Sequence, residues 1–205
     1  MLSILFQGIV LGFAIAAPVG PVGVLCIQRT LSKGRVSGFV SGLGAASADA
    51  VYGAIAGFGI TLVSAFLLEH RTTIRIVGGV VLLSLGIQSF RTEPTDDSTA
   101  ATDTSELAID YSSTFLLTLT NPVTVLAFVG IFAGLGIGTA GAYVETAALV
   151  GGVFLGSALW WLTLSVGVSL FRTRFTRAAM RRVSQLAGLI IVGFGTLSLW
   201  GAVQL

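Results

Sequence analysis

The sequence predicts an all-α membrane protein: six transmembrane helices built as two inverted three-helix repeats, with helices 1 and 4 broken at proline. Three observations carry this. Of 205 residues, 54% are hydrophobic and only 10% are charged, where a soluble domain carries about 25% charged residues. Six apolar runs reach or approach the roughly 20 residues that a spanning helix needs. The runs before and after the chain's midpoint also match one another in order and spacing.

Composition narrows the remaining classes. A net charge of +2, spread between apolar runs, does not suggest nucleic acid. The single cysteine, Cys26, leaves no intrachain disulfide. The stretch Met1–Phe6 has no basic region, and its apolar run continues past Ala14–Ala17, so no cleaved signal peptide is expected.

The runs are Ile4–Ile27, Phe39–Leu68, Ile74–Phe90, Phe115–Gly138, Thr146–Phe171 and Val183–Val203. The first contains Ala17-Pro18-Val19-Gly20-Pro21-Val22-Gly23. A proline has no N–H, and its ring clashes with the carbonyl four residues back. Pro18 and Pro21 should therefore free the carbonyls of Ala14 and Ala17. Hydrocarbon cannot solvate such groups, so the break belongs inside protein or beside a polar cavity. We read it as the floor of a binding site.

The second run holds Asp49, the one carboxylate well inside any run. Ten residues past Phe39, it lies about 15 Å into a core of about 30 Å. Its insertion costs about 2.5–3.5 kcal/mol. Gly42, Ala45, Ala46, Tyr52, Gly53 and Ala56 share its face, so that face should point into the bundle. A role in proton or cation coupling, with Tyr52 as its neighbour, stands against a purely structural acid bonded to Tyr52 or to freed backbone.

Thr92–Ser113 holds Glu93, Asp96, Asp97, Asp103, Glu106 and Asp110 among small polar residues, and reads as an acidic flexible linker. The division is then a first repeat over 1–91, the linker over 92–113 and a second repeat over 114–205. In the fourth run, Pro122 should free the carbonyl of Thr118, and Asn121 brings an amide to lipid depth. Asn121 either repairs that backbone or takes part in a site. The series Gly34, Gly38, Gly42 and Gly130, Gly134, Gly138 suit close crossings, inside the bundle or in a homodimer. Trp160-Trp161 sits near the middle of the fifth run, for core packing or a cavity wall.

Charge sets orientation. Nine of the 11 basic residues fall in odd-numbered loops, among them Arg29, Lys33 and Arg35 in loop one and Arg172–Arg182 in loop five. Basic loops stay in the cytoplasm, so both termini are expected outside the cell membrane and the acidic linker inside. The Arg172–Arg182 cluster reads as an inner-leaflet anchor.

The halves compare well. Pro21-Val-Gly-Val-Leu25 matches Pro122-Val-Thr-Val-Leu126; Gly42 and Ser47-Ala48 match Gly152 and Ser157-Ala158; Gly79, Gly86 and Ser89 match Gly188, Gly195 and Ser198. The offsets are 101, 110 and 109 residues. Three helices repeated must enter the membrane in opposite senses. Inverted repeats are the usual build of secondary transporters, with a midplane site where broken helices meet.

Pro18-x-Gly20-Pro21, Gly34-Arg35, Ala48-Asp49 and Asn121-Pro122 together resemble the LysE/RhtB family of amino-acid exporters, over nearly the whole chain. Many members carry a polar residue where this chain has Val22. The resemblance implies export of amino acids or small relatives from the cytoplasm, driven by a proton or ion gradient, with no cofactor. The substrate site expected from the residues comprises Ala14, Ala17, Pro18, Gly20, Pro21, Thr118, Asn121 and Pro122. Freed carbonyls and half-helix N-termini would meet the ammonium and carboxylate of a zwitterion. Asp49 would exchange a proton for substrate while one repeat rocks against the other. An enzyme is not expected, since no nucleophile–base set or metal-ligand motif is present. Two alternatives stay open: a metal-ion exporter, which would want more deep ligands, and a non-transporting membrane assembly subunit.

Overall fold

The computed structural model describes residues 2–18, 20–58, 69–91, 103–121, 124, 128, 143–172 and 176–203. Among the described residues the long elements are seven helices: α1 (Leu2–Ala16), α2 (Pro21–Lys33), α3 (Arg35–Gly57), α4 (Arg71–Arg91), α5 (Thr104–Leu119), α6 (Tyr143–Arg172) and α7 (Arg177–Val203). Helices α3, α4, α6 and α7 are each long and apolar enough to cross a bilayer. Helices α1 and α2 together make one further candidate span, bent by 83° at their break. Most of the fourth run, including Pro122 and the Gly130–Gly138 series, lies outside the described residues.

Two sequence expectations need correction. The first loop is not a basic loop but the single residue Gly34, whose φ of 109° turns α2 directly into α3. Only glycine adopts such a conformation without strain. Arg29 and Lys33 therefore belong to α2. The acidic linker does not extend to Ser113, because α5 begins at Thr104. Asp103 caps it, accepting from the Ser105 N–H at 3.2 Å. Hydrogen bonds from the Ser105 hydroxyl and N–H hold the Asp103 carboxyl below its ordinary range. Asp110, Thr114, Leu117 and Thr118 form the buried face of α5. That face keeps helical spacing, but its polar members hide it from a search for apolar periodicity.

Close backbone approach sets the packing. A Cβ on Gly12 would stand 2.0 Å from the carbonyl oxygen of Val153, and one on Gly156 would stand 1.9 Å from that of Ile9. Gly8 faces Gly152 in the same seam, so α1 lies parallel to α6. Helices α4 and α7 cross antiparallel through Gly79 with Gly195 and Gly86 with Gly188. Ser37–Asp110, Tyr111–Ser47 and Tyr52–Leu119 bonds run along α3 and α5, which are parallel. Gly42 with Trp161 and Asp49 with Ser157 make α3 antiparallel to α6.

The interior follows from these seams. Leu25, Cys26, Ala45, Ala46, Leu117, Trp161 and Ile191 share one buried cluster; Tyr52, Phe128, Leu149 and Val153 form a second. Large apolar side chains such as Phe6, Val80, Leu170, Leu197 and Trp200 face outward. Small inside and large outside is the pattern of helices whose outer solvent is lipid.

Candidate functional site

The first break forms where the prolines require it. Helix α1 closes with the Ala17 N–H on the Phe13 carbonyl at 3.0 Å. Pro21 occupies the first turn of α2, where its missing N–H costs nothing, and the Val24 N–H reaches the Gly20 carbonyl at 3.0 Å. The N-terminus of α2, where the first N–H groups lack partners within the helix and the dipole's positive end lies, borders the break.

The second break differs in detail from the expectation. Helix α5 ends with the Thr120 N–H on the Leu116 carbonyl at 2.9 Å. The Thr118 carbonyl is not left free: it accepts the Asn121 N–H at 3.2 Å. The next carbonyl, Leu119, accepts the Tyr52 hydroxyl. Tyr52 therefore serves the α5 end, although the sequence paired it with Asp49.

Asp49, 4% exposed, accepts instead from the Ser157 hydroxyl at 2.7 Å. Ser157 in turn accepts the Trp161 indole N–H at 3.1 Å. Sequence reasoning missed both partners. The signals were the Ser157-Ala158 match to the first half and the mid-span position of Trp160-Trp161. Trp160 packs edge-on against Phe13, with ring centroids 5.2 Å apart, and Trp161 alone lines a cavity.

That cavity, about 280 Å³, is where both breaks meet. Pro18, Gly20, Pro21, Val22 and Gly23 supply one wall, Thr118, Asn121 and Thr124 another, and Ala45, Asp49, Trp161 and Phe194 line part of the remainder. Six of the residues singled out from sequence thus gather: Pro18, Gly20, Pro21, Asp49, Thr118 and Asn121. Ala14, Ala17 and Tyr52 are not among its lining residues, and Pro122 lies outside the described ones. Among the described residues Asp49 is the one ionisable side chain in the lining. Among the described residues no three His, Cys, Asp or Glu side chains gather as metal ligands.

A second polar centre, unforeseen from sequence, sits at the end of the bundle that carries Gly34. Arg29 (6% exposed) holds Asp110 (1% exposed) with Nε 3.2 Å from Oδ1. Its Nη1 donates to Ser41 Oγ at 2.9 Å and to the Asp110 carbonyl and Thr114 Oγ1 at 2.8 Å; Nη2 donates to Ser113 Oγ at 2.8 Å. Lys33 Nζ lies 3.1 Å from Asp110 Oδ1, and the Ser37 hydroxyl donates to Oδ2. This network ties α2 and α3 to α5.

Apolar spanning helices, two breaks and a cavity with one buried acid define a membrane translocator. The chain belongs to the LysE type translocator family, whose model matches residues 13–200. It is 30% identical over 200 residues to "Putative amino acid efflux protein YcgF" of Bacillus subtilis, covering 95% of this chain and 94% of that one. It is 32% identical over 171 residues to "Uncharacterized membrane protein YahN" of Escherichia coli, covering 80% and 75%. A third relative, "Uncharacterized membrane protein slr1627" of Synechocystis, is 26% identical over 117 residues, 57% of each chain. No solved structure matches.

Proposed function

We propose that this chain exports amino acids or small amino-acid-like solutes across the cell membrane by proton antiport with alternating access. The observation that carries the reading is the Asp49 cavity at the meeting of the two breaks. The name of the Bacillus subtilis relative gives the substrate class. A described lining with one carboxylate and otherwise uncharged groups suits a solute that brings an ammonium group. Apolar walls and an aromatic pair, Trp161 and Phe194, suit an uncharged side chain. A proton on Asp49 and an ammonium beside it compete for the same charge, which is the minimal requirement for exchange of one against the other.

The inverted repeat gains support from the helix crossings. The 109-residue offset carries Gly79 to Gly188 and Gly86 to Gly195. Applied to both helices, it converts the Gly79–Gly195 crossing into the Gly86–Gly188 one. The parallel pair α1 with α6 has its counterpart in α3 with α5. The same contacts argue against one repeat rocking as a body on the other, since the tightest seams run between the halves. The moving parts in our reading are the short elements at the breaks, α2 and the end of α5 up to Asn121.

With both termini outside, the Arg29–Asp110 network lies at the cytoplasmic end. It then closes the cavity to the cytoplasm, and admitting substrate requires it to open. A metal-ion exporter finds less support here, because among the described lining residues Asp49 stands without a second ionisable group. Counterflow by purified protein in liposomes tests the function. Uptake of one or more common amino acids, accelerated by an outward-directed gradient of the same solute, is the expected result; uptake of divalent cations alone would favour the rival.

A further inference from the structure

A second cavity, about 250 Å³, adjoins the first. Pro21, Asn121 and Phe194 line both, so the partition between them is one layer of side chains. Among the described residues its one charged lining residue is Arg75, where the first cavity has Asp49. Neighbouring chambers thus carry opposite charges. Arg75 is held in place: its Nη1 donates to the Gly201 carbonyl at 2.8 Å, and its own carbonyl accepts the Ser198 hydroxyl at 2.9 Å. A guanidinium carries five donors in a planar fork, and the Gly201 bond engages one nitrogen. The described polar groups around it (Thr120, Asn121 and Ser198) carry no negative charge, and the Thr120 and Ser198 hydroxyls donate to the Leu116 and Arg75 carbonyls.

We propose that the Arg75 cavity is a second, outer subsite that receives the carboxylate of the transported solute after its ammonium leaves Asp49. This rests on the transport reading above and on its orientation, which puts the start of α4 outside. The two charged groups line separate chambers with Pro21, Asn121 and Phe194 between them, so in this proposal the solute occupies the chambers in turn. Release from Asp49 is then matched by capture at Arg75, with Pro21, Asn121 and Phe194 shifting between the two states. Charge-assisted, bidentate pairing with a guanidinium is the favoured mode for a carboxylate. A solute lacking the carboxylate has nothing to gain in the outer chamber. The alternative role for Arg75 is to hold the last turn of α7, whose terminal carbonyls lack helical partners.

The test compares wild type, Arg75→Gln and Arg75→Lys in liposomes. The probes are the amino acid that wild type counterflows fastest and the amine left when that amino acid loses its carboxyl group. Arg75→Gln should slow the amino acid about tenfold or more, the scale of one lost charge-assisted hydrogen bond, while the amine stays at its wild-type rate. Arg75→Lys, which keeps the charge without the planar fork, should fall between wild type and Arg75→Gln for the amino acid and leave the amine unchanged; amino-acid counterflow no faster than in Arg75→Gln would contradict capture by charge. Because both probes are read on one preparation, a poorly folded fraction cannot imitate the split. If Arg75→Gln moves the amino acid at the wild-type rate, or slows both solutes alike, the outer subsite is wrong and the transport reading stands. If wild type counterflows no amino acid, both fall.

Discussion

Asp110 of α5 and Arg29 of α2 are a buried ion pair separated by 3.2 Å, joining the two halves of the chain at one end of the bundle. Removing one member of such a pair leaves a buried charge uncompensated, at a cost of about 3–5 kcal/mol. Asp110→Ala should therefore lower the unfolding temperature in detergent far more than Glu106→Ala, whose carboxylate sits 4.0 Å from Lys33 and is exposed. The chain's single thiol offers a second readout. Cys26 is fully buried one helical turn before Arg29 and Thr30. In wild type it should resist maleimide in the folded protein; in Asp110→Asn, which loosens the network with less damage, it should become reactive. A Cys26 as inert in Asp110→Asn as in wild type would remove the gate.

The pair also marks where sequence reading stops. The apolar runs, the proline breaks and Asp49 were legible because each is a local departure from a local rule. Arg29 and Asp110 were read as loop charges, since a count of basic and acidic residues between apolar runs cannot register that two charges 81 positions apart neutralise each other. The same distance problem hid Ser157 from Asp49. Tyr52 and the Thr118 carbonyl went astray for a different reason. Their partners, the Leu119 carbonyl and the Asn121 N–H, follow from how the end of α5 tightens, which proline placement alone does not dictate.

Ser157 joins Asp49 to Trp161, donating to the first at 2.7 Å and accepting from the second at 3.1 Å. Ser157→Ala leaves a buried carboxyl and a buried indole N–H without this partner, a loss of about 1–3 kcal/mol. The loss in the double variant Ser157→Ala/Trp161→Phe should be smaller than the sum of the two single losses, because the shared hydrogen bond is broken once while the lost ring packing adds in full. A double-mutant cycle by thermal unfolding measures that coupling. Fully additive losses would show that the indole and the hydroxyl do not interact.

The seam between α1 and α6 depends on absent side chains. A Cβ at Gly156 would stand 1.9 Å from a backbone oxygen, and helix backbones can relieve that only by separating. Gly156→Ala should cost about 1–3 kcal/mol. Gly151→Ala, with nothing within 4 Å of the new Cβ, should be neutral or mildly stabilising, since alanine favours helix over glycine. Equal tolerance of the two substitutions in detergent would mean that α1 does not pack on α6 at this register.

The central claim is that Asp49, in the cavity between the breaks, exchanges a proton for solute. The direct measurement is amino-acid uptake into liposomes with and without an imposed pH gradient, for wild type and Asp49→Asn. Wild type should accumulate solute against its gradient when the proton gradient is imposed, and Asp49→Asn should exchange solute down its gradient with no response to pH. Accumulation driven by the pH gradient to the wild-type level in Asp49→Asn would contradict the account.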